Sequence, residues 1–467
     1  MPFALGANQL VDESYQVSNS IRFDDSSTPK LTRTNASGGD RQKFTISFWT
    51  KRTTVGATHI FFDVGTSTST DSGSFTCSIN SSDKLFIGGG ATSYRQTNRL
   101  FRDVSAWYHI VVAVDSTDST ADDRIKIYVN GVQETSFTTN NAITLNQNTP
   151  VNESGKVHQI CNRQKSSSLP YDGYMCEFNI IDGQQLLPTS FGEFDDNGVW
   201  IPIEYSGSYG TNGAFLEFKQ SGTSADSSGM GADTSGNDNH FTPTNLVAST
   251  DITTDTCTNN FATLNPLRIE RNTAATYSEG NTKVSINSSF GRVFMATIPV
   301  SSGKWYFECK HFTSGDTDAF IGVVPPDRDS TSSSGQDLGS RTGEVGWRDN
   351  GGIRQGSSVP NDTESSWTDG DILGIALDMD NKRVYFHKNG TYQNSADPSG
   401  TNGYVLNLDE YVFTLNSYAN DGYFANFGNP AFSISSGNSD AEGFGNFEYA
   451  VPSGYFALCT KNLAEYG

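Results

Sequence analysis

The chain has 467 residues, which bounds it at about two to four domains. Its formal net charge of −21 disfavours a nucleic-acid or anionic-membrane partner, because each needs a basic footprint. Charged residues are only 18% and aromatics reach 12%, so the polarity comes from turn-forming Gly, Ser, Thr, Asn and Asp, and a disordered chain is excluded.

Along the chain, residues 1–14 read as an N-terminal arm. Met1–Leu10 lacks a basic start and a long apolar run, so no secretory signal is expected, and synthesis in a cytoplasm follows. No run of about 18 apolar residues exists to insert in a membrane. Period-2 alternation then takes over. Phe44, Ile46 and Phe48 share one face of a strand, and Ile125, Ile127 and Val129 share one face of another. Asn130-Gly131 follows the second, a strong hairpin signal, because a type I′ turn needs positive φ at both central positions. Residues 15–196 thus read as one antiparallel sandwich. Residues 197–260 read as a loop-rich connector, with a turn-rich run over 221–239. Residues 261–435 read as a second sandwich, in which Ile372–Leu377 and Arg383–Lys388 flank a turn and Asn389-Gly390 repeats the hairpin signal. Residues 436–467 read as a docking segment ending in the apolar run Val451–Leu458. No amphipathic helix, heptad or tandem repeat is expected. The predicted fold is all-β: two antiparallel β-sandwiches, or jelly rolls, joined by the connector.

The six cysteines (Cys77, Cys161, Cys176, Cys257, Cys309, Cys459) form no C-x-x-C pair, which removes zinc and redox motifs. They read as buried free thiols, with a Cys161–Cys176 bridge left open.

Four segments in order resemble a laminin-G-like domain: Phe44–Arg52, Trp107–Asp115, Ile127–Gly131 and Tyr171–Phe178. Five more resemble a SPRY domain: Gly303–Glu308, Phe320–Val323, Val345–Trp347, Gly370–Asp378 and Val384–Gly390. Both resemblances imply a concanavalin A-like sandwich. Three phrases resemble surface proteins of tailed phages of marine bacteria: Ile181–Gln184 with Phe191–Glu193, Thr258–Pro266, and Pro452–Leu458. That resemblance implies a virion fibre, appendage or decoration protein, exposed on the virion surface. Its expected partners are other virion proteins, further copies of itself (a trimer is compatible) and a host surface glycan.

Glucanases of this fold class use alternating carboxylates on one strand face. Glu193-Phe194-Asp195 begins such a pattern, but Asn197 and Gly198 stand where a third carboxylate belongs. A polar loop is the better reading, and no enzyme is expected. No nucleophile elbow or phosphate loop occurs, and His109 and His387 read as structural. Calcium is the one cofactor candidate. The loop acids Asp115, Asp118, Asp122 and Asp123 offer closely spaced oxygens, and Asp63 opens another polar loop. For glycan binding, aromatic faces beside polar groups point to Trp347, Arg348, Asp349 and Asn350 with Trp367 and Tyr392, and to Tyr94 and Arg95 in the first half. Core packing is the competing reading for Trp347 and Trp367. The expected function is adsorption through host or environmental glycans; the alternatives are a purely structural capsid decoration and a polysaccharide depolymerase.

Overall fold

A computed structural model describes residues 15–65, 73–89, 92–164, 168–268, 275–286, 292–313, 319–328, 337–356, 358–361, 363–417 and 421–467. The N-terminal arm read over 1–14 lies outside them. The chain divides into two compact units, Met1–Asn260 and Phe261–Gly467.

The first unit is a sandwich of two antiparallel sheets. One runs in the order Val132–Gln133, Ile125–Val129, Tyr108–Asp115, Lys43–Arg52, Gly173–Asp182, Ser20–Phe23, Ile252–Thr253, with Ala214–Leu216 also on Gly173–Asp182. The other runs Phe137–Asn140, Thr92–Thr97, Leu85–Gly89, Phe75–Ile79, His59–Gly65, Val157–Ile160, Lys30–Thr34, Thr242–Thr244. The alternation read from sequence builds the core: Phe44, Ile46, Phe48, Ile125, Ile127 and Val129 all point between the sheets. Asn130 and Gly131 take φ of 48° and 78°, as the hairpin requires.

The stretch 197–260 is built into this first unit. Ala214–Leu216, Thr242–Thr244 and Ile252–Thr253 each add a strand to one of its sheets. Its ladder positions are short, which is why periodicity did not reveal them.

The second unit is also a sandwich. One sheet runs Ala275–Ser278, Lys283–Ile286, Asp421–Asn426, Lys304–Thr313, Ile372–Asp378, Arg383–Lys388, Thr391–Tyr392. The other runs Arg292–Met295, Val412–Ser417, Phe320–Val324, Val345–Arg348, Ile353–Gln355, Ser358–Asn361. The turn Asn389-Gly390 has φ of 48° and 81°.

Residues 436–467 pack on this second unit. Phe456–Ala457 adds to Trp305–Tyr306 as a parallel strand, and a seven-residue helix, Thr460–Tyr466, follows. Sequence patterning did not show that helix because it is too short to develop a face. The Glu308 carboxylate gathers four donors: Tyr306 Oη at 2.9 Å, the backbone N–H of Tyr449 at 2.8 Å and of Glu448 at 2.9 Å, and Asn426 Nδ2 at 3.4 Å. A buried acid on a central strand therefore holds the C-terminal segment in place.

All six cysteines are free and buried. The Cys161–Cys176 bridge is not formed. Cys161 belongs to the core between the sheets, whereas Cys176 lies in an outer cluster beside Trp49 and Cys257. Its Sγ sits 3.7 Å from that of Cys257.

Candidate functional site: an aromatic cleft on the first unit

Strand Gly173–Asp182 organises the site through a β-bulge. Against strand Lys43–Arg52, Cys176 opposes Trp49 and Asn179 opposes Ser47, and Glu177 takes φ of 51°. The extra residue resets the alternation. Met175, Phe178 and Ile180 point into the core, while Glu177 and Asn179 turn outward. They line a small cleft of about 10 Å³ together with Ser47, Trp49, His109, Phe191, Ile203, Tyr205 and Phe215.

One wall is a run of aromatic rings. Phe191 stacks on Tyr205 at 5.1 Å, Tyr205 meets Tyr209 edge-on at 5.1 Å, and Tyr209 lies nearly parallel to Phe215 at 6.3 Å. Tyr205 and Tyr209 are only half-buried. Tyr209 Oη donates to Asn179 Oδ1 at 3.2 Å, which ties the wall to the floor.

Glu177 is 7% exposed and accepts a hydrogen bond from Tyr15 Oη at 2.9 Å. Burial pushes its carboxyl up to about 8 against the pull of that bond, and the charges of Glu217 and Glu204 push the same way. At neutral pH the cleft thus presents a carboxylic acid beside an amide.

His109 lies between Trp49 and Trp200, stacked at 4.8 and 5.9 Å. Ser47 Oγ is 2.9 Å from its Nε2, an arrangement that superficially suggests an activated nucleophile. The tautomer says otherwise. The Trp200 indole N–H can only donate, and it donates to His109 Nδ1 at 2.9 Å. The ring proton therefore sits on Nε2 and is donated to Ser47, so the imidazole has no lone pair with which to take the serine proton. Burial also drives the His109 pKa down to about 3. The pair is structural. Glu193 lies exposed in the strand Gly192–Phe194, which pairs with Trp200–Pro202, and Asp195 accepts the backbone N–H groups of Asn197 and Val199 within its turn.

The sequence-predicted glycan residues fall elsewhere. Trp347 and Trp367 are 0% and 2% exposed and pack against each other at 6.2 Å in the second core, so neither offers a face to a sugar. Asp349 is buried, and its backbone ties Ala319 to Trp367. Arg348 lies over the Phe320 ring, Asn350 is exposed, and Tyr392 rests edge-on against His387 at 5.3 Å. Tyr94 and Arg95 are buried too; Arg95 donates to the carbonyl of Asn141 at 2.6 Å and lies over Phe137. A strand position fixes that a side chain leaves the backbone on a given face, not whether another layer covers it.

The acids of the calcium reading do not converge. Asp115 pairs with Lys43 at 3.0 Å, Asp118 accepts from Thr120 N at 2.7 Å, Asp122 lies 3.8 Å from Arg95, and Asp123 pairs with Lys126 at 3.2 Å. Asp63 accepts from Thr76 Oγ1 at 2.6 Å. Each acid already has a local partner. Among the described residues, the one group of three or more histidine, cysteine or acidic side chains with ligand atoms within 4.8 Å of one another is Asp24, Asp25 and Asp172. The Glu177 bulge was missed as well, although the phase slip between Met175 and Phe178 was its signal.

The first unit is thus a sandwich with a small outward-facing cleft lined by aromatic rings. The first unit matches the concanavalin A-like lectin/glucanases superfamily (Laminin_G_3) over residues 25–185, and the second matches the SPRY domain over residues 304–402. The chain therefore carries a laminin-G-like domain followed by a SPRY domain, both typically non-enzymatic binding modules. No curated protein matches the sequence. Among solved structures, the SPRY domain of human HERC1 is 18% identical, with 35% of this chain and 96% of that one covered and a TM-score of 0.28. A Bacteroides ovatus protein described as a proposed carbohydrate binder is 12% identical, with coverages of 51% and 60% and a TM-score of 0.34. The SAP-like pentraxin of Limulus polyphemus is 16% identical, with coverages of 36% and 78% and a TM-score of 0.27.

Proposed function

We propose that the first unit binds carbohydrate at the aromatic cleft, and that the chain does so as a surface protein of a tailed-phage virion, engaging host glycans during adsorption. The observation that carries the binding reading is the placement of the half-buried Tyr205 and Tyr209 rings beside Glu177 and Asn179. The apolar face of a sugar ring packs on an aromatic side chain, while its hydroxyls need an acid and an amide within reach. The virion reading is supported by the three sequence phrases that resemble phage surface proteins. One such shallow site binds weakly, and many copies on a particle would multiply it.

Calorimetry of the full chain with host envelope polysaccharide tests the binding reading. Measurable affinity is expected, reduced at least tenfold in Tyr205→Ala with the melting temperature retained. Absence of affinity in the parent protein sinks it. Immunogold labelling of intact particles tests the virion reading. Label at the tail tip fits adsorption, label over the head fits a decoration role, and unlabelled particles refute both.

A further inference from the structure

A tight turn brings Asp255 and Asn260 side by side. Thr256 N donates to Asn259 O at 3.0 Å and Asn259 N to Thr256 O at 3.2 Å, so the two residues that flank this bridge meet again. Both then accept from one lysine of the strand Lys43–Arg52. Lys51 Nζ donates to Asp255 Oδ2 and, at 2.8 Å, to Asn260 Oδ1. The Asn260 amide is fixed from its other end, where Nδ2 donates to the carbonyl of Ser105 at 2.7 Å. Trp107 Nε1 holds the second oxygen of Asp255 at 3.3 Å.

These groups lie out of solvent. Lys51 and Asp255 are 1% exposed and Asn260 is 7% exposed. The Lys51 nitrogen lies 4.8 Å from the centre of the Tyr174 ring and 5.8 Å from that of Trp107. Such surroundings favour a neutral amine and a neutral acid over two charges, and burial lowers the Lys51 pKa accordingly. A desolvated, neutral lysine is a nucleophile. An ion pair needs only two members. The third member here is an amide, whose acyl carbon Cγ is one bond from the oxygen that Nζ already touches.

We propose that Lys51 and Asn260 join in an intramolecular isopeptide bond, with Asp255 as the acid–base catalyst. Lys51 passes a proton to Asp255, and the amine lone pair attacks Cγ of Asn260 to form the new C–N bond. The Cγ–Nδ2 bond then breaks. Asp255 gives its proton to the departing nitrogen and takes one from the new linkage, so ammonia leaves, Asp255 ends protonated and no oxidant or reductant is needed. Well-oriented intramolecular partners react as if at about 10⁵–10⁸ M, which is what lets an otherwise unreactive amide exchange its amine. The product replaces a buried ion pair by neutral groups and removes the desolvation cost of two charges. The bond would join positions 209 residues apart, and Asn260 is the last residue of the first unit. A pull transmitted along the chain from the second unit would then pass to a central strand before it could unravel residues 197–260.

Intact-mass spectrometry of the full chain in denaturant, after overnight incubation at neutral pH, tests this. The parent should be lighter than its sequence mass by one ammonia. Trypsin should fail to cut after Lys51, and the digest should contain a branched peptide linking Lys51 to Asn260. Asp255→Asn should keep the full mass. Asn260→Ala, which leaves the Lys51–Asp255 pair in place, should keep it too and serves if the first variant fails to fold. A parent of full mass overturns the proposal and leaves a plain ion pair. So does an ammonia loss that persists in Asn260→Ala, the mark of ring closure at Asn130-Gly131 or Asn389-Gly390 rather than of a cross-link.

Discussion

Lys51 and Asp255, 204 residues apart, form an ion pair in which both side chains are 1% exposed. Lys51 Nζ also donates to Asn260 Oδ1 at 2.8 Å and lies 4.8 Å from the centre of the Tyr174 ring. Trp107 Nε1 reaches the other oxygen of Asp255 at 3.3 Å. Burial lowers the Lys51 pKa, and the Asp255 charge opposes that shift. This pair fastens the far end of the 197–260 stretch to a central strand.

Asp255→Ala is therefore expected to cost the first unit about 3–5 kcal/mol, because it strands a buried ammonium. Replacing both partners by apolar residues, Lys51→Met with Asp255→Leu, should recover much of the loss. Urea denaturation of the three proteins measures the difference.

Glu308 plays the corresponding part in the second unit. Glu308→Ala leaves the N–H groups of Glu448 and Tyr449 without their acceptor. Limited proteolysis should then cut within residues 436–455 far faster than in the parent, and the unit should lose about 2–4 kcal/mol. Unchanged protection would mean that the strand Phe456–Ala457 and the final helix hold the segment unaided.

The cleft acid sets a pH dependence. The Glu177 pKa rises from 4.5 to about 8 on folding, so the folded state holds its proton more tightly than the unfolded chain. Stability of the first unit should fall as pH climbs through that interval and level off above it. Asp172, pushed up to about 7, acts in the same direction. The decisive measurement is thus the difference between parent and Glu177→Gln in melting temperature from pH 4.5 to 8.5, with the variant showing the flatter curve.

Thiol chemistry gives a further check. All six cysteines are buried, and burial raises the pKa of Cys77, Cys161, Cys257 and Cys309. The native protein should react negligibly with a thiol reagent and release six equivalents once unfolded under reducing conditions.

The sandwich architecture was legible because strand alternation and the two Asn-Gly turns are local signals. Phe44, Ile46 and Phe48 could only be inward together, and Asn130 and Asn389 both took the positive φ their turns require. The sites were less legible because they depend on what covers a face. Trp347 and Trp367 carry the right chemistry for a sugar but lie beneath other layers. The acids of the 115–123 loop are neighbours in sequence yet spend their oxygens on local partners, whereas Asp24 and Asp172 meet only through strand pairing. Glu177 needed a bulge, which moves one residue across the sheet and leaves only a slip of phase behind.

The parallel strand on Trp305–Tyr306 also has a consequence for biosynthesis. A ribosome adds about 5–20 residues each second, so Phe456 emerges about 8–30 s after Trp305. Throughout that interval the nascent second domain carries an unpaired edge beside its central strand, open to any other extended segment. Neighbouring polysomes crowded with the same message are where that edge would first meet a wrong partner, and a chaperone that shields it would act on this half of the polypeptide.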